Sequence, residues 1–421
     1  MDPGIVRRPP FGSNPLVGER GSDTRQRVLA AAMEVFEEFS YPEARVEQIT
    51  EKAGCSRPAF YQYFSSKDDV FWTLATDLGQ EMVGLADRLE QVTPDETGLA
   101  TLTRWIDDFM TLYEQWAPVF RAFPDANRAG SRQDARPGSI ATHTVKRLLK
   151  AFDLPRTAAN QRLVGSLVGV LIRCSFYAEV APAGMSRRPL VLGLARLFHR
   201  VLGGPVEGVN FNRGRSTGRR RVKIVAPVGP ALSTGLRARG ERTRATLLRA
   251  GAEVLPARGY HEARVDDIVE AAGVSHGTFY RYFDSKDDFF RALAEDASGR
   301  LIELVELLDL DASASELRKW LEEWFAAYEA DGGVISTWQD MRTSSELVAF
   351  SQQVAASVFS RLEKLLDQRD FGHPQVGSAM LLALLERAPY RVFVLGFSTT
   401  AGEIDSTLTI IRRGFLGLDG G

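Results

Sequence analysis

The chain has 421 residues, a length that fits two to four domains. With 44% hydrophobic and 25% charged residues it reads as an ordinary globular protein, which excludes fibrous and low-complexity classes. The net charge of −2 does not advertise nucleic acid, but a DNA contact needs only a local basic patch. Cys55 and Cys174 are too few for a disulfide framework or a cysteine zinc site and fit a reducing cytosol.

In chain order, residues 1–22 read as a disordered arm rich in Pro, Gly and Arg, with no apolar stretch of a secretory signal. Thr24 to Phe39 predicts a helix with Val28, Leu29, Ala32, Val35 and Phe36 on one face. Val46 to Ala53 predicts a short second helix, followed by Gly54 where a left-handed turn is wanted. Ser56 caps a third helix to about Phe64, with Pro58 tolerated in its first turn. Ser66 and Asp69 form a capping box for a fourth helix from Lys67. Helical patterning continues through Trp105–Tyr113, Thr142–Phe152, Leu163–Val180 and Pro189–Leu202. The most apolar stretches carry Arg173, or Glu386, Arg387 and Arg391, near their middles, which favours core helices over membrane spans.

The order then repeats. Thr24–Leu74 aligns without a gap to Thr243–Leu293 at a constant shift of 219 residues, with 26 of 51 positions identical. Weaker likeness persists beyond: Trp105 to Glu114 matches Trp320 to Glu329, and Val164-Gly-Ser166 matches Val376-Gly-Ser378. The last helices share a stripe, Leu190, Leu194, Leu197 and Val201 against Ile404, Leu408, Ile411 and Phe415. A unit of roughly 200 residues is duplicated. No strand alternation is found, so the expected class is all-α. The expected domains are a helix-turn-helix at 23–74, a helical domain at 75–205, a basic flexible linker at 206–240, a second helix-turn-helix at 241–293 and a second helical domain at 294–421. Pro256 is expected to end or kink the first helix of the second copy.

The segment Gly-Tyr-x-x-Ala-Arg-Val-x-x-Ile, followed by Ala-Ala-Gly-Val-Ser-x-Gly-Thr-Phe-Tyr-x-Tyr-Phe-x-Ser-Lys-Asp, resembles the DNA-binding signature of TetR-type transcriptional regulators. Gly259–Asp287 matches almost throughout, and Tyr41–Asp68 departs at Cys55, Pro58 and Ala59. The chain resembles the tandem form, with two fused units. The resemblance implies a small helix-turn-helix followed by a larger helical ligand domain in each unit. It also implies a four-helix interface from the last two helices of each, here an intramolecular pseudo-dimer. A small molecule in the ligand domain would change the spacing of the DNA readers.

A recognition helix presents polar groups to base edges in the major groove. The candidates are Arg57, Ala59, Tyr61 and Gln62 behind the cap Ser56, and His276, Thr278, Tyr280 and Arg281 behind Ser275. Lys67 and Lys286 open the fourth helix, where the family places a phosphate-contacting lysine. Alternatively, each neutralises the Asp pair that follows it. Tyr63 and Tyr282 are further phosphate donors, unless they pack inward. Arg45 and Arg264 stand where the family often has a phosphate-contacting Thr. Phe60, Phe64, Phe279 and Phe283 are expected in the core, and Cys55 as a small core side chain. The run Arg213–Lys223 holds six basic residues and no acid, and reads as a solvated tether, a groove-following arm or a phosphate clamp. Arg237, Arg239 and Arg242 stand where an arm reaches the minor groove.

Candidate walls of an apolar pocket are Trp105, Phe109, Trp116, Phe120 and Tyr177 in the first unit, and Trp320, Trp324, Tyr328 and Trp338 in the second. At helical spacing such aromatics are more often plain core, which is the other reading of these residues. Arg173 and Arg387, with Glu386, are the candidate polar groups of such pockets, with an interhelix salt bridge as the other reading.

The histidines at 143, 199, 261, 276 and 373 show no metal-ligand spacing, and no phosphate loop or nucleophile elbow is found. No catalytic residue, metal or cofactor is therefore expected. The expected function is a sequence-specific transcriptional regulator, a repressor released by a small apolar or aromatic molecule. Its partner is a double-stranded DNA operator of asymmetric sequence. The chain is expected to act as one pseudo-dimer in the cytoplasm, at the nucleoid when DNA-bound, with no membrane partner and with a homodimer as the alternative. The other reading is a protein-interaction or constitutive DNA-binding protein in which one half has lost its response.

Overall fold

The structure, a computed structural model, describes residues 19–128, 137–180, 186–204, 236–340, 345–366 and 374–418. The arm before residue 19 and the linker between 205 and 235 lie outside the described residues. Every regular element among the described residues is helical. They divide between two compact units, one within Met1–Arg88 and Thr111–Thr144, the other within Leu89–Met110 and Val145–Gly421.

The first unit opens with α1 (Glu19–Glu43), α2 (Val46–Lys52), α3 (Arg57–Tyr63) and α4 (Lys67–Asp87). Helix α1 starts before the expected Thr24 and buries the expected face, Val28, Leu29, Ala32, Val35 and Phe36. Helix α5 (Glu96–Arg128) is far longer than the patterned stretch Trp105–Tyr113. It bends at Trp116, whose φ of −113° and ψ of 16° are not helical. Pro118 explains the bend, because it lacks an N–H and crowds the carbonyl one turn earlier.

Then follow α6 (Pro137–Ala151), α7 (Ala158–Val180) and α8 (Arg187–Gly203). The second copy supplies α9 (Leu236–Glu262), α10 (Val265–Ala272), α11 (His276–Phe279) and α12 (Lys286–Leu307). It ends with α13 (Ala314–Asp340), α14 (Ser345–Leu366), α15 (Pro374–Phe393) and α16 (Thr400–Thr409), which passes into a π-helical turn, Ile410–Phe415. Of the end or kink expected at Pro256, the end does not occur: α9 runs on to Glu262. No helix among the described residues is long and apolar enough to cross a membrane.

Within the second unit the terminal helices of both copies pack together: α7 on α15 and α16, α15 on α16, and α8 on the π-helical turn. This is the four-helix interface of a pseudo-dimer built inside one chain. Leu190, Leu194, Leu197, Val201, Ile404, Leu408, Ile411 and Phe415 are all buried, as their shared stripe predicts. Each such side chain contributes roughly 1.5–3 kcal/mol when removed from water. The backbones approach closely at Gly414, where a Cβ would sit 2.5 Å from Leu197 Cδ1.

The interface also contains charge. Arg173 Nε donates to Glu386 Oε2 at 2.6 Å, and the Tyr177 hydroxyl donates to the same oxygen at 2.5 Å. Ser166 Oγ donates to Glu403 Oε1, which also accepts from Arg391 Nε at 3.0 Å. Burial opposes the Arg173 charge, but the adjacent Glu386 carboxylate outweighs it and holds the guanidinium above its ordinary pKa. Burial, with Glu386 beside it, raises the Tyr177 phenol as well.

Candidate nucleic-acid interface

Each copy builds the same helix-turn-helix from the same local chemistry. Gly54 and Gly273 have φ of +61° and +64°, the left-handed conformation that ends α2 and α10 without a Cβ penalty. The next residue closes the turn: Cys55 N donates to Thr50 O, and Val274 N to Val269 O, both at 3.0 Å. Ser56 Oγ then accepts from Ala59 N at 3.2 Å, and Ser275 Oγ from Thr278 N at 3.3 Å. These caps satisfy N–H groups that the first helical turn leaves unbonded.

Phe60, Phe64, Phe279 and Phe283 are buried, as expected. Their packing turns the other face of each recognition segment outward. Arg57, Tyr61 and Gln62 are exposed in the first copy, and His276, Tyr280 and Arg281 in the second. Arg45, Ser56, Arg264 and Ser275 are exposed beside them. Ala59, Tyr63 and Lys67 are half-buried, and so are Thr278, Tyr282 and Lys286. The exposure pattern is therefore the same, position for position; Arg45, Ser56 and Tyr61 recur as Arg264, Ser275 and Tyr280, while Arg57 and Gln62 are replaced by His276 and Arg281. Tyr61 and Tyr280, at 50% and 55% exposure, stand out as large apolar side chains left in water.

The two recognition segments differ in regularity. Helix α3 spans Arg57–Tyr63, whereas α11 spans only His276–Phe279 before tightening into bonds three residues apart, Arg281 N to Thr278 O and Tyr282 N to Phe279 O. Pro58 fixes φ near a helical value at the second helical position, and Gly277 in its place leaves the backbone freer. The copy that follows the family signature most closely thus has the shorter helix.

Lys67 Nζ donates to Tyr41 O at 2.7 Å and lies 4.6 Å from the Tyr41 ring centre. Lys286 Nζ donates to Ala263 O at 3.1 Å. Each lysine thus ties the start of the fourth helix to the end of the first and compensates the carbonyls there. Neither contact is with the Asp pair that follows. The expected capping box forms in shifted register: Ser66 Oγ accepts from Asp69 N, but Asp69 Oδ2 accepts from Ser65 N at 2.9 Å. The second copy repeats this with Asp288 and Asp284 N at 3.1 Å. Arg291, and then the Asp284 N–H, hold the Asp288 carboxyl below its usual pKa against a burial penalty. Burial pushes the Cys55 thiol up, consistent with an unreactive side chain.

Three duplicated contacts are not apparent from the signature. Gln48 Oε1 accepts from Arg45 N at 2.7 Å, and Asp267 Oδ2 from Arg264 N at 2.8 Å, capping α2 and α10. Arg25 lies 5.5 Å from the Phe64 ring centre, and Arg244 lies 5.6 Å from that of Phe283. Glu47 pairs with Arg57, and Asp266 with His276 at 2.6 Å. All fall within the gap-free repeat at the common shift of 219, which is the signal that identifies them.

The pocket candidates are dispersed. Trp105 and Phe109 are buried with ring centres 6.1 Å apart. Trp116 stands at the bend of α5 and donates Nε1–H to Glu81 at 3.2 Å, while Phe120 stacks on Tyr113 at 4.7 Å. Trp320 and Trp324 stack at 5.4 Å and donate to Leu304 O and Leu385 O. Tyr328 is buried against Phe393, and the Arg387 guanidinium lies 4.1 Å from the Tyr390 ring centre. Arg173 and Tyr177 engage Glu386, so the interhelix ion pair is the arrangement found for Arg173. The Trp338 side chain lies outside the described residues, as do those of Arg237 and Arg239.

Comparison with known proteins supports the repeat. The model of bacterial regulatory proteins of the tetR family matches residues 28–72 and again 247–293. An uncharacterized HTH-type transcriptional regulator, YdgC of Bacillus subtilis, is 38% identical over 76 residues, covering 18% of this chain and 39% of that protein. The HTH-type transcriptional repressor Rv1474c of Mycobacterium tuberculosis is 26% identical over 153 residues, covering 35% of this chain and 81% of the relative. A solved transcriptional regulator from Aquifex aeolicus VF5 aligns with a TM-score of 0.34 and 19% identity, over 39% of this chain and 95% of that one. The chain spans only 39% and 34% of the length of YdgC and of the regulator AcuR of Cereibacter sphaeroides. With both matches falling on the two helix-turn-helix segments, the chain carries, in tandem, two copies of the DNA-binding domain of the tetR family of bacterial regulatory proteins.

Proposed function

We propose that this chain is a sequence-specific transcriptional regulator, a repressor that grips two different half-sites of one duplex and releases them when a small apolar or aromatic molecule binds. The observation that carries the reading is the matched exposure of two recognition segments with unlike residues, Arg57-Pro-Ala-Phe-Tyr-Gln62 and His276-Gly-Thr-Phe-Tyr-Arg281. Arg57 and Arg281 suit guanine edges and Gln62 suits adenine. Arg45, Tyr63, Lys67, Arg264, Tyr282 and Lys286 are assigned to phosphate, which positions the protein without reading sequence. One such unit occupies about 23–205 and the other about 236–421; the tether expected over 206–240 ends earlier, because α9 already begins at Leu236. The work is placed in the cytoplasm, at the nucleoid when DNA-bound. The chain is assigned no catalytic step.

One chain should fill one operator, because the terminal helices of both copies bury each other without a second chain. The test is light scattering of the free and operator-bound protein. The expected mass of the free protein is that of one chain, 46.5 kDa, and one chain is expected per duplex. A dimer that persists on dilution would mean four readers per particle and would overturn the proposal.

A further inference from the structure

The interface of the four terminal helices holds more positive than negative charge. On α7 and α15 stand four guanidiniums, Arg162, Arg173, Arg387 and Arg391. Glu386 is taken by Arg173 and Tyr177, and Glu403 is taken by Arg391 and Ser166. No carboxylate among the described residues pairs with Arg387. Its Nε is buried with no acceptor, its guanidinium rests on the Tyr390 ring, and its Cβ lies 3.5 Å from where a Cβ on Gly169 of α7 would stand. Burial pushes the guanidinium below its ordinary pKa, with Tyr390 acting against that shift and Arg173 adding to it. Arg387 as a whole is half-buried, but its buried Nε–H without an acceptor is costly unless an anion meets it, and a ring face compensates only part of that cost.

The surroundings suit an amphiphile. Tyr328 and Phe393 stack at 6.3 Å, and Trp324 spends its donor on Leu385 O, so these rings present apolar faces. We propose that Arg387 is the counter-ion for the carboxylate of an apolar or aromatic acid bound in the helical domain of the second copy. This rests on the ligand-responsive reading above and adds a charge to the ligand. Arginine suits the task because its planar fork meets both oxygens of a carboxylate.

The test is thermal unfolding of the full chain with sodium octanoate and sodium benzoate, each set against the uncharged partner of similar shape, 1-octanol and benzyl alcohol. At saturating concentration, at least one acid is expected to raise the midpoint by about 2–4 °C while its alcohol does not. Arg387→Gln is expected to abolish that rise and Arg387→Lys to retain part of it. Without ligand, Arg387→Met is expected to unfold no lower than the natural chain, since it removes an uncompensated cation. A clearly lower midpoint would mean that Arg387 is already satisfied within the protein, and would overturn the proposal. Equal shifts from acid and alcohol, or an acid shift unchanged in Arg387→Gln, would overturn it and leave the ligand-responsive reading standing. No shift from any of the four compounds would overturn it, and would count against the ligand-responsive reading too.

Discussion

Asp266 holds His276 at 2.6 Å across the turn of the second helix-turn-helix, and Glu47 holds Arg57 at the same place in the first. In both copies a carboxylate on the preceding helix grips the first residue of the recognition helix. Base contact by Arg57 or His276 therefore has to exchange a protein carboxylate for a base edge. Such an exchange favours a site that offers good hydrogen bonds over one that offers only phosphate charge.

Glu47→Gln is accordingly expected to tighten binding to unrelated duplexes by about two- to fivefold, the scale of an exposed ion pair. The preference for the operator over those duplexes should fall. Fluorescence anisotropy against operator and scrambled DNA at several salt concentrations checks this. Weaker binding to both would mean that Glu47 positions Arg57 and does not restrain it.

Gly277 has open space around it: a Cβ there would meet only Ser275 Oγ, at 3.9 Å. Gly277→Ala is therefore expected to stabilise the second helix-turn-helix by about 0.5–1 kcal/mol, by lowering the entropy of the unfolded chain. Denaturant unfolding reads the gain. A loss of operator affinity in the same variant would indicate that DNA comes close to this first turn.

Lys286→Ala has two expected effects. It removes the tie to Ala263 O, costing about 1 kcal/mol of stability. It also weakens binding to all sequences alike and lowers the salt slope by about one. Arg281→Ala, an exposed side chain on the recognition segment, should instead cost about 1–3 kcal/mol at the operator and relax one base position. Sequence-selective loss from the lysine and uniform loss from the arginine would reverse the two assignments.

Glu386 joins helices of different copies through Arg173 and Tyr177. Glu386→Ala leaves that guanidinium without its partner. The expected cost is about 3 kcal/mol, the low end for breaking a buried pair, because the Glu386 side chain keeps 20% exposure. Calorimetry on the full chain measures it. An unchanged unfolding midpoint would show that the pair contributes nothing to holding the four helices together.

The helix-turn-helix was legible in the sequence because its determinants are local. Gly54 and Gly273, the caps Ser56 and Ser275, and the buried phenylalanines each act within a few residues of their own position. The all-α class and the terminal stripes were legible from periodicity. Contacts between distant residues were not. Lys67 reaches Tyr41 O, 26 residues back, and Arg173 finds its partner 213 residues away, distances at which no local pattern operates. The full length of α5 was not legible because the patterned stretch Trp105–Tyr113 covers only part of it, and the helix continues past the kink at Trp116.

The central claim is that one chain reads two unlike half-sites, and selection of bound DNA from a random pool tests it most directly. The expected result is a single enriched site with two different half-sites, because Arg57 and Gln62 of one recognition segment are replaced by His276 and Arg281 in the other, while Tyr61 and Tyr280 are shared. Substituting Arg57 should change the bases selected in one half-site, and substituting Arg281 those in the other. Enrichment of a near-perfect palindrome, or of no sequence at all, would contradict the claim.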